Sequence, residues 1–107
     1  PLTKETTYIA DYQFFNRFKK PVWVLNISRG KVLKTKDLIR CLNEGVVRGA
    51  ALDVLDEESK SFDISNSNRV LMVLNNRSNV IITPHVAGWT EESYFKLSNV
   101  LADKILE

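Results

Sequence analysis

Apolar positions in this chain fall into short runs separated by polar turns. Val22–Ile27, VWVLNI, is apolar except for Asn26 and follows Pro21. Its β-branched and aromatic content predicts a strand buried on both faces, of the kind found inside a parallel sheet. Val46–Val54, VVRGAALDV, is a second strand, and Asn79–Thr83, NVIIT, a third. Gly49, Ala50 and Ala51 permit a helix or a ligand to pack closely against the second strand. Val70–Leu74 is apolar and fits either a short helix or a strand.

Between these runs the period lengthens. Asp11 is an N-cap for a short helix that carries Phe14, Phe15 and Phe18 on one face and ends in Lys19 and Lys20. Thr35 caps a second helix with the stripe Leu38, Ile39 and Leu42, and Gly45 stands where a glycine ends a helix. Thr90 caps the last helix, where Glu91 and Glu92 suit the dipole and Tyr94, Leu97, Val100, Leu101 and Ile105 form a buried stripe. Asp56–Asn68 is polar without periodicity and reads as a long loop, a length that in compact domains is often functional. Strands alternating with helices predict an α/β fold with parallel pairing and right-handed crossovers.

Composition narrows the function classes. The 107 residues suffice for one small domain with a core. A net charge of +2, from 15 basic and 13 acidic residues, gives no argument for nucleic acid or membrane as partner. The single cysteine, Cys41, lies among apolar neighbours and reads as a buried thiol rather than a nucleophile. No apolar run is long enough to cross a bilayer and no signal-peptide pattern opens the chain, so the expected location is cytoplasmic.

Three parallel strands share one carboxyl edge, which is where open α/β sheets bind ligands. Arg29 lies just past the first strand, in the turn Asn26-Ile27-Ser28-Arg29-Gly30. Asp53 ends the second strand, with Glu58 a few residues on, and His85, the only histidine, follows the third. Taken singly, each has an ordinary reading: a surface ion-pair partner, a solvated acidic loop, a Pro-His turn. Their common placement argues for a site. An arginine fork grips a carboxylate at two points. A histidine exchanges a proton with a hydroxyl or carbonyl near neutral pH, and a carboxylate beside it orients the ring. Such a set suits a 2-hydroxy or 2-keto acid, with the hydride supplied by a cofactor.

Asn26–Gly30 with Leu38 and Gly45, the stretch Gly49–Val54 running on to Glu58, and Thr83–Gly88 followed by Thr90 resemble the D-isomer-specific 2-hydroxyacid dehydrogenases, of which D-3-phosphoglycerate dehydrogenase is a well-known member. The resemblance covers nearly the whole chain. It implies that Arg29 binds the substrate carboxylate, that His85 is the general acid/base and Glu58 its partner, and that Asp53 receives the nicotinamide carboxamide. Ile27, Ser28 and Arg29, together with the backbone of His85, Val86, Ala87 and Gly88, would line the nicotinamide site. The implied cofactor is NAD, with NADP left open. The implied substrate is a small 2-hydroxy or 2-keto acid, 3-phosphoglycerate among the candidates, and the full-length enzyme would be a homodimer.

The chain departs from the family pattern in two places. Ser59 follows Glu58 where the family usually has proline, and Leu33-Lys34 stands where it commonly has Val-Asp. The interval from Arg29 favours Glu58 over the adjacent Glu57. The four glycines, Gly30, Gly45, Gly49 and Gly88, form no G-x-G-x-x-G turn for a pyrophosphate. The expectation is therefore the second half of a Rossmann-like doubly wound sheet: residues 1–107 as the carboxy-terminal part of a dinucleotide-binding domain, with the helix over 90–107 leading toward a separate substrate domain. The alternative is a catalytically inactive module that acts by association with another chain. Trp89 either closes one wall of the site or packs under the final helix.

Overall fold

The structure, a computed structural model, describes residues 1–56 and 69–107. Its elements are α1 (Tyr12–Phe15), β1 (Val22–Asn26), a 3-10 turn (Gly30–Val32), α2 (Thr35–Asn43), β2 (Val47–Leu52), α3 (Arg69–Asn75), β3 (Val80–Ile82) and α4 (Glu91–Leu106). The strands form one sheet in the order β1-β2-β3, and both pairings are parallel. Val24 lies beside Ala50 and Ala50 beside Val80, while Asn26 lies beside Leu52 and Leu52 beside Ile82. Pairing shifts between Val22 and Trp23, so that Arg48 is skipped. All three predicted strands form, each a residue or more shorter than its apolar run. Val70–Leu74 resolves as helix, within α3.

The core lies on one face of the sheet. Val47, Ala50 and Leu52 meet Leu38, Cys41 and Leu42 of α2, Leu74 of α3, Phe15 of α1 and Leu33. Burying each of the larger of these side chains contributes about 1.5–3 kcal/mol. Among the described residues nothing covers the opposite face. Trp23 and Leu25 are 69% and 70% exposed, and Ile27 and Ile81 are exposed with them. The prediction that β1 is buried on both faces is thus corrected, because within the described residues the helices flank one side only. Gly49 shows the close approach its size predicts, although the neighbour is not a helix. A Cβ there would stand 2.3 Å from the Trp23 ring and 2.5 Å from the Asn79 carbonyl oxygen.

The helices begin and end for identifiable reasons. Asp11 caps α1 by accepting from the Phe14 N–H at 2.9 Å. Only Phe15 of the three phenylalanines enters the core. Phe14 and Phe18 stay exposed and meet edge-to-face at 5.4 Å. The Tyr12 backbone N–H donates to Asp37 at 3.0 Å, its hydroxyl donates to Glu44 at 2.8 Å, and the Arg40 guanidinium lies 3.7 Å over its ring, which ties α1 to α2. Gly45 ends α2 at φ 75°, a left-handed conformation that favours glycine.

Three sequence predictions fail at helix level. The first helix stops at Phe15, so Phe18, Lys19 and Lys20 lie beyond α1 rather than on it. Thr35 is the first residue of α2 rather than its cap. The cap position is Lys34, which offers no side-chain acceptor. The Asp56 carboxylate takes over, accepting from the Thr35 N–H at 3.2 Å and from the Thr35 hydroxyl. In α4 the Thr90 cap is present, its hydroxyl accepting from the Ser93 N–H at 3.1 Å. The stripe Tyr94, Leu97, Val100, Leu101 and Ile105, however, is exposed throughout, and α4 buries no residue. A helical period shows which face would be covered, and no described element covers it.

Candidate functional site

The parallel sheet delivers three strand ends to one edge. There the backbone passes a bond from strand to strand: the Asp53 N–H donates to the Asn26 carbonyl at 2.9 Å, and the Thr83 N–H to the Leu52 carbonyl at 3.0 Å. The segments carrying Arg29 and His85 therefore flank the end of β2, with Asp53 between them.

The first segment is built around Asn26. It is the one polar residue of its run, it faces the core side, and it is 7% exposed, so its amide must be satisfied locally. Its Oδ1 accepts from the Ser28 N–H at 3.2 Å and from the Ser28 hydroxyl at 3.1 Å. Its Nδ2 donates to the Arg29 carbonyl at 3.2 Å. Arg29 is exposed, and its Nη1 donates to the Ser28 carbonyl at 2.9 Å. Gly30 then lets the turn lie directly on the exit of β2. A Cβ at this position would fall 1.8 Å from the Leu55 carbonyl oxygen, so any other residue would separate the two segments.

Asp53 anchors the second segment. It is 3% exposed. Its Oδ1 accepts from the Thr83 hydroxyl at 2.5 Å and the Val86 N–H at 2.9 Å, and its Oδ2 accepts from the Ala87 N–H at 2.9 Å. Burial opposes ionisation of Asp53. The Thr83 hydroxyl, the Ala87 and Val86 N–H groups and the nearby His85 charge outweigh it and hold the carboxyl below the ordinary aspartate range. A carboxylate offers about four lone-pair directions, so Oδ2 keeps room for one further donor.

His85 sits between these fixed points at φ 59°, a left-handed conformation uncommon outside glycine. Its N–H donates to the Thr83 carbonyl at 3.0 Å, and the side chain is exposed. Left-handed backbone costs about 1–2 kcal/mol for a non-glycine residue, and it persists here because Thr83 on one side and Val86 and Ala87 on the other are held by Asp53. Gly88 has open space around it. Trp89 is exposed and so does not pack under α4.

Of the residues expected from sequence, Ile27, Ser28, Arg29, Asp53 and His85 to Gly88 all lie along this edge. Glu58 and Glu57 lie outside the described residues. The supporting roles of Asn26 and Thr83 were missed, although each carries a signal: a lone amide in an apolar run, and a hydroxyl ending a strand before proline. Asp56 as a helix cap gives no local signal, because its partner is 21 residues away. The described residues contain no cluster of histidine, cysteine and acidic side chains able to hold a metal.

The chain is similar to known proteins. A family model described as "D-isomer specific 2-hydroxyacid dehydrogenase, NAD binding domain" matches residues 1–87. The D-lactate dehydrogenase of Lactiplantibacillus plantarum is 36% identical over 105 residues, covering 94% of this chain and 32% of that protein. The glyoxylate reductase of Pyrococcus furiosus is 37% identical over 106 residues, covering 99% and 29%. Among solved structures, the D-isomer specific 2-hydroxyacid dehydrogenase from Lactobacillus delbrueckii ssp. bulgaricus in its NAD-complexed form superposes with a TM-score of 0.81 at 31% identity, over 98% of this chain and 34% of that one. The D-lactate dehydrogenase from Aquifex aeolicus complexed with NAD and lactic acid gives 0.74 at 30% identity, again over 98% and 34%. The chain thus spans about a third of the length of these relatives.

Proposed function

The chain belongs to the D-isomer-specific 2-hydroxyacid dehydrogenase family, and from that premise we propose that its sheet edge is the nicotinamide and substrate side of an active site interconverting a D-2-hydroxy acid and a 2-keto acid. The observation that carries the reading is Asp53, which binds the His85 segment through its carboxylate and the β1 end through its N–H. A buried carboxylate with one acceptor direction to spare fits the carboxamide of a nicotinamide lying across the strand ends. The residues present fit that end of NAD. The G-x-G-x-x-G turn that would hold its pyrophosphate does not occur in the sequence.

When bound, the nicotinamide supplies or receives the hydride. Arg29 grips the substrate carboxylate with the guanidinium N–H groups not used on Ser28. That grip fixes the 2-carbon relative to His85. His85 gives its proton to the keto oxygen during reduction and takes it back during oxidation. The family resemblance assigns Glu58 as the partner of His85. The backbone at Ile27, Ser28 and Arg29 and from His85 through Val86 and Ala87 to Gly88 lines the ring site. The names of the similar proteins make pyruvate and glyoxylate the first substrates to test; 3-phosphoglycerate rests on the sequence resemblance alone.

The alternative, an inactive module that associates with another chain, draws on the bare sheet face of Trp23, Leu25 and Ile81. One experiment separates the two. The chain replaces the matched third of the Lactiplantibacillus plantarum D-lactate dehydrogenase, and NADH oxidation by the chimera is followed with pyruvate and glyoxylate. The dehydrogenase reading expects turnover that falls by about two to four powers of ten with His85→Ala. Unassisted, the 107-residue chain should give no measurable turnover. A folded chimera without activity, or one indifferent to His85→Ala, would favour the inactive module.

A further inference from the structure

Resting on the reading of Arg29 as the carboxylate anchor, we infer that Asn26 is its positioning residue, acting through the peptide of Ser28. One buried amide bonds the peptide groups on both sides of the Ser28–Arg29 link. Oδ1 holds the Ser28 N–H at 3.2 Å, and Nδ2 holds the Arg29 carbonyl at 3.2 Å. The intervening Ser28 carbonyl is thereby aimed, and it is this oxygen that accepts from the Arg29 guanidinium at 2.9 Å. The Ser28 hydroxyl adds a second bond to Oδ1 at 3.1 Å.

The relay therefore runs from Asn26 to the Ser28 peptide and on to Nη1. It needs an amide in particular, since one atom must accept and the other donate. Aspartate would keep the bonds to Ser28 and set a second oxygen against the Arg29 carbonyl. Serine is too short to reach both groups. The bonds are shielded, because Asn26 is 7% exposed, so the turn is fixed before any ligand arrives. A side chain as long as arginine has several rotatable bonds, and ordering it in advance spares binding that entropy cost. Gly30 lets this turn lie directly against the Leu55 backbone.

The test uses the 107-residue chain at micromolar concentration with two mass-spectrometric readouts. One is amide exchange resolved at Ser28. The other is the rate at which phenylglyoxal modifies Arg29, measured with and without pyruvate. Asn26→Ala is expected to accelerate Ser28 exchange and Arg29 modification by about threefold to tenfold, the worth of a hydrogen bond in this setting. Exchange at Ala50 and Thr83 should stay at parental rates as the measure of an intact sheet. Where the sheet is lost, Asn26→Asp carries the test: Ser28 exchange stays parental and Arg29 modification still accelerates. Either readout unchanged in Asn26→Ala with an intact sheet, or Arg29 modification unchanged in Asn26→Asp, overturns the positioning role. Pyruvate should slow modification of Arg29 in the parent and do so less in Asn26→Ala. A parental Arg29 that pyruvate never protects overturns the carboxylate reading instead, and the ligand-free rates still decide the role of Asn26.

Discussion

At the residue scale, the sheet edge depends on buried carboxylate and amide groups that hold the neighbouring backbone in place. Asp53 is the clearest case, and its ionisation links the site to pH. Its carboxyl is held below the ordinary aspartate value in the folded state by Thr83, Ala87, Val86 and His85 acting against burial. A depressed folded value means that Asp53 contributes stability above its unfolded pKa and that this contribution is lost as pH falls through the folded one. Asp53→Asn should therefore destabilise the fold at neutral pH by about 1–3 kcal/mol, since its amide group must face donors that a carboxylate satisfies. The gap between parent and variant in urea unfolding should narrow as pH falls below about 4, the unfolded value, and on through the lower folded one. A gap independent of pH would show that Asp53 acts by shape alone. His85 gives a second prediction from φ 59°. Glycine relieves left-handed backbone and alanine does not, so His85→Gly should unfold at higher urea than His85→Ala, by about 1 kcal/mol. Equal midpoints would mean that the turn relaxes once the imidazole is gone.

At the element scale, β2 is the central strand, and both neighbouring loops are fastened to its exit. Asp56 does part of this by capping α2 from outside the helix. Asp56→Ala should cost about 1 kcal/mol, the worth of an N-cap, even though residue 56 is not in the helix it caps. Thermal unfolding would check this, and a loss within error would reduce the contact to an incidental one. This contact also shows where sequence reading stops. The strands, the Asp11 and Thr90 caps and the Gly45 stop were legible because each is written in a few adjacent residues. The placement of Arg29, Asp53 and His85 along one edge was legible because parallel strands must end on one edge. The Asp56 cap was not, because it joins residues distant in sequence. The exposed stripe of α4 and the bare face of β1 were misread for the same reason. Periodicity tells which side of an element is apolar, but only tertiary structure tells whether anything lies against it.

At the scale of the whole molecule, the two uncovered surfaces dominate. Trp23, Leu25, Ile27 and Ile81 line one face of the sheet, and Tyr94, Leu97, Leu101 and Ile105 line α4, all exposed. The outer edge of β1 also pairs with no strand among the described residues, because β2 occupies only one of its sides. An unpaired edge bordered by large apolar side chains promotes association. The chain should therefore sediment as a concentration-dependent oligomer in dilute neutral buffer. Leu25→Lys places a charge in the middle of the bare face without touching the core, since this side chain is 70% exposed. It should shift the chain toward monomer and leave the urea midpoint of the monomer within about 0.5 kcal/mol of the parent, as expected for a surface substitution. Glu107, at the end of α4, lies far from that face in sequence and serves as the control position: Glu107→Lys should leave association unchanged. If Leu25→Lys left the oligomer intact, the bare sheet face would not be its contact surface. The same assay on Leu97→Lys would then ask whether α4 carries the association instead. A chain that stayed monomeric at every concentration would show that this apolar surface is too dispersed to drive self-association.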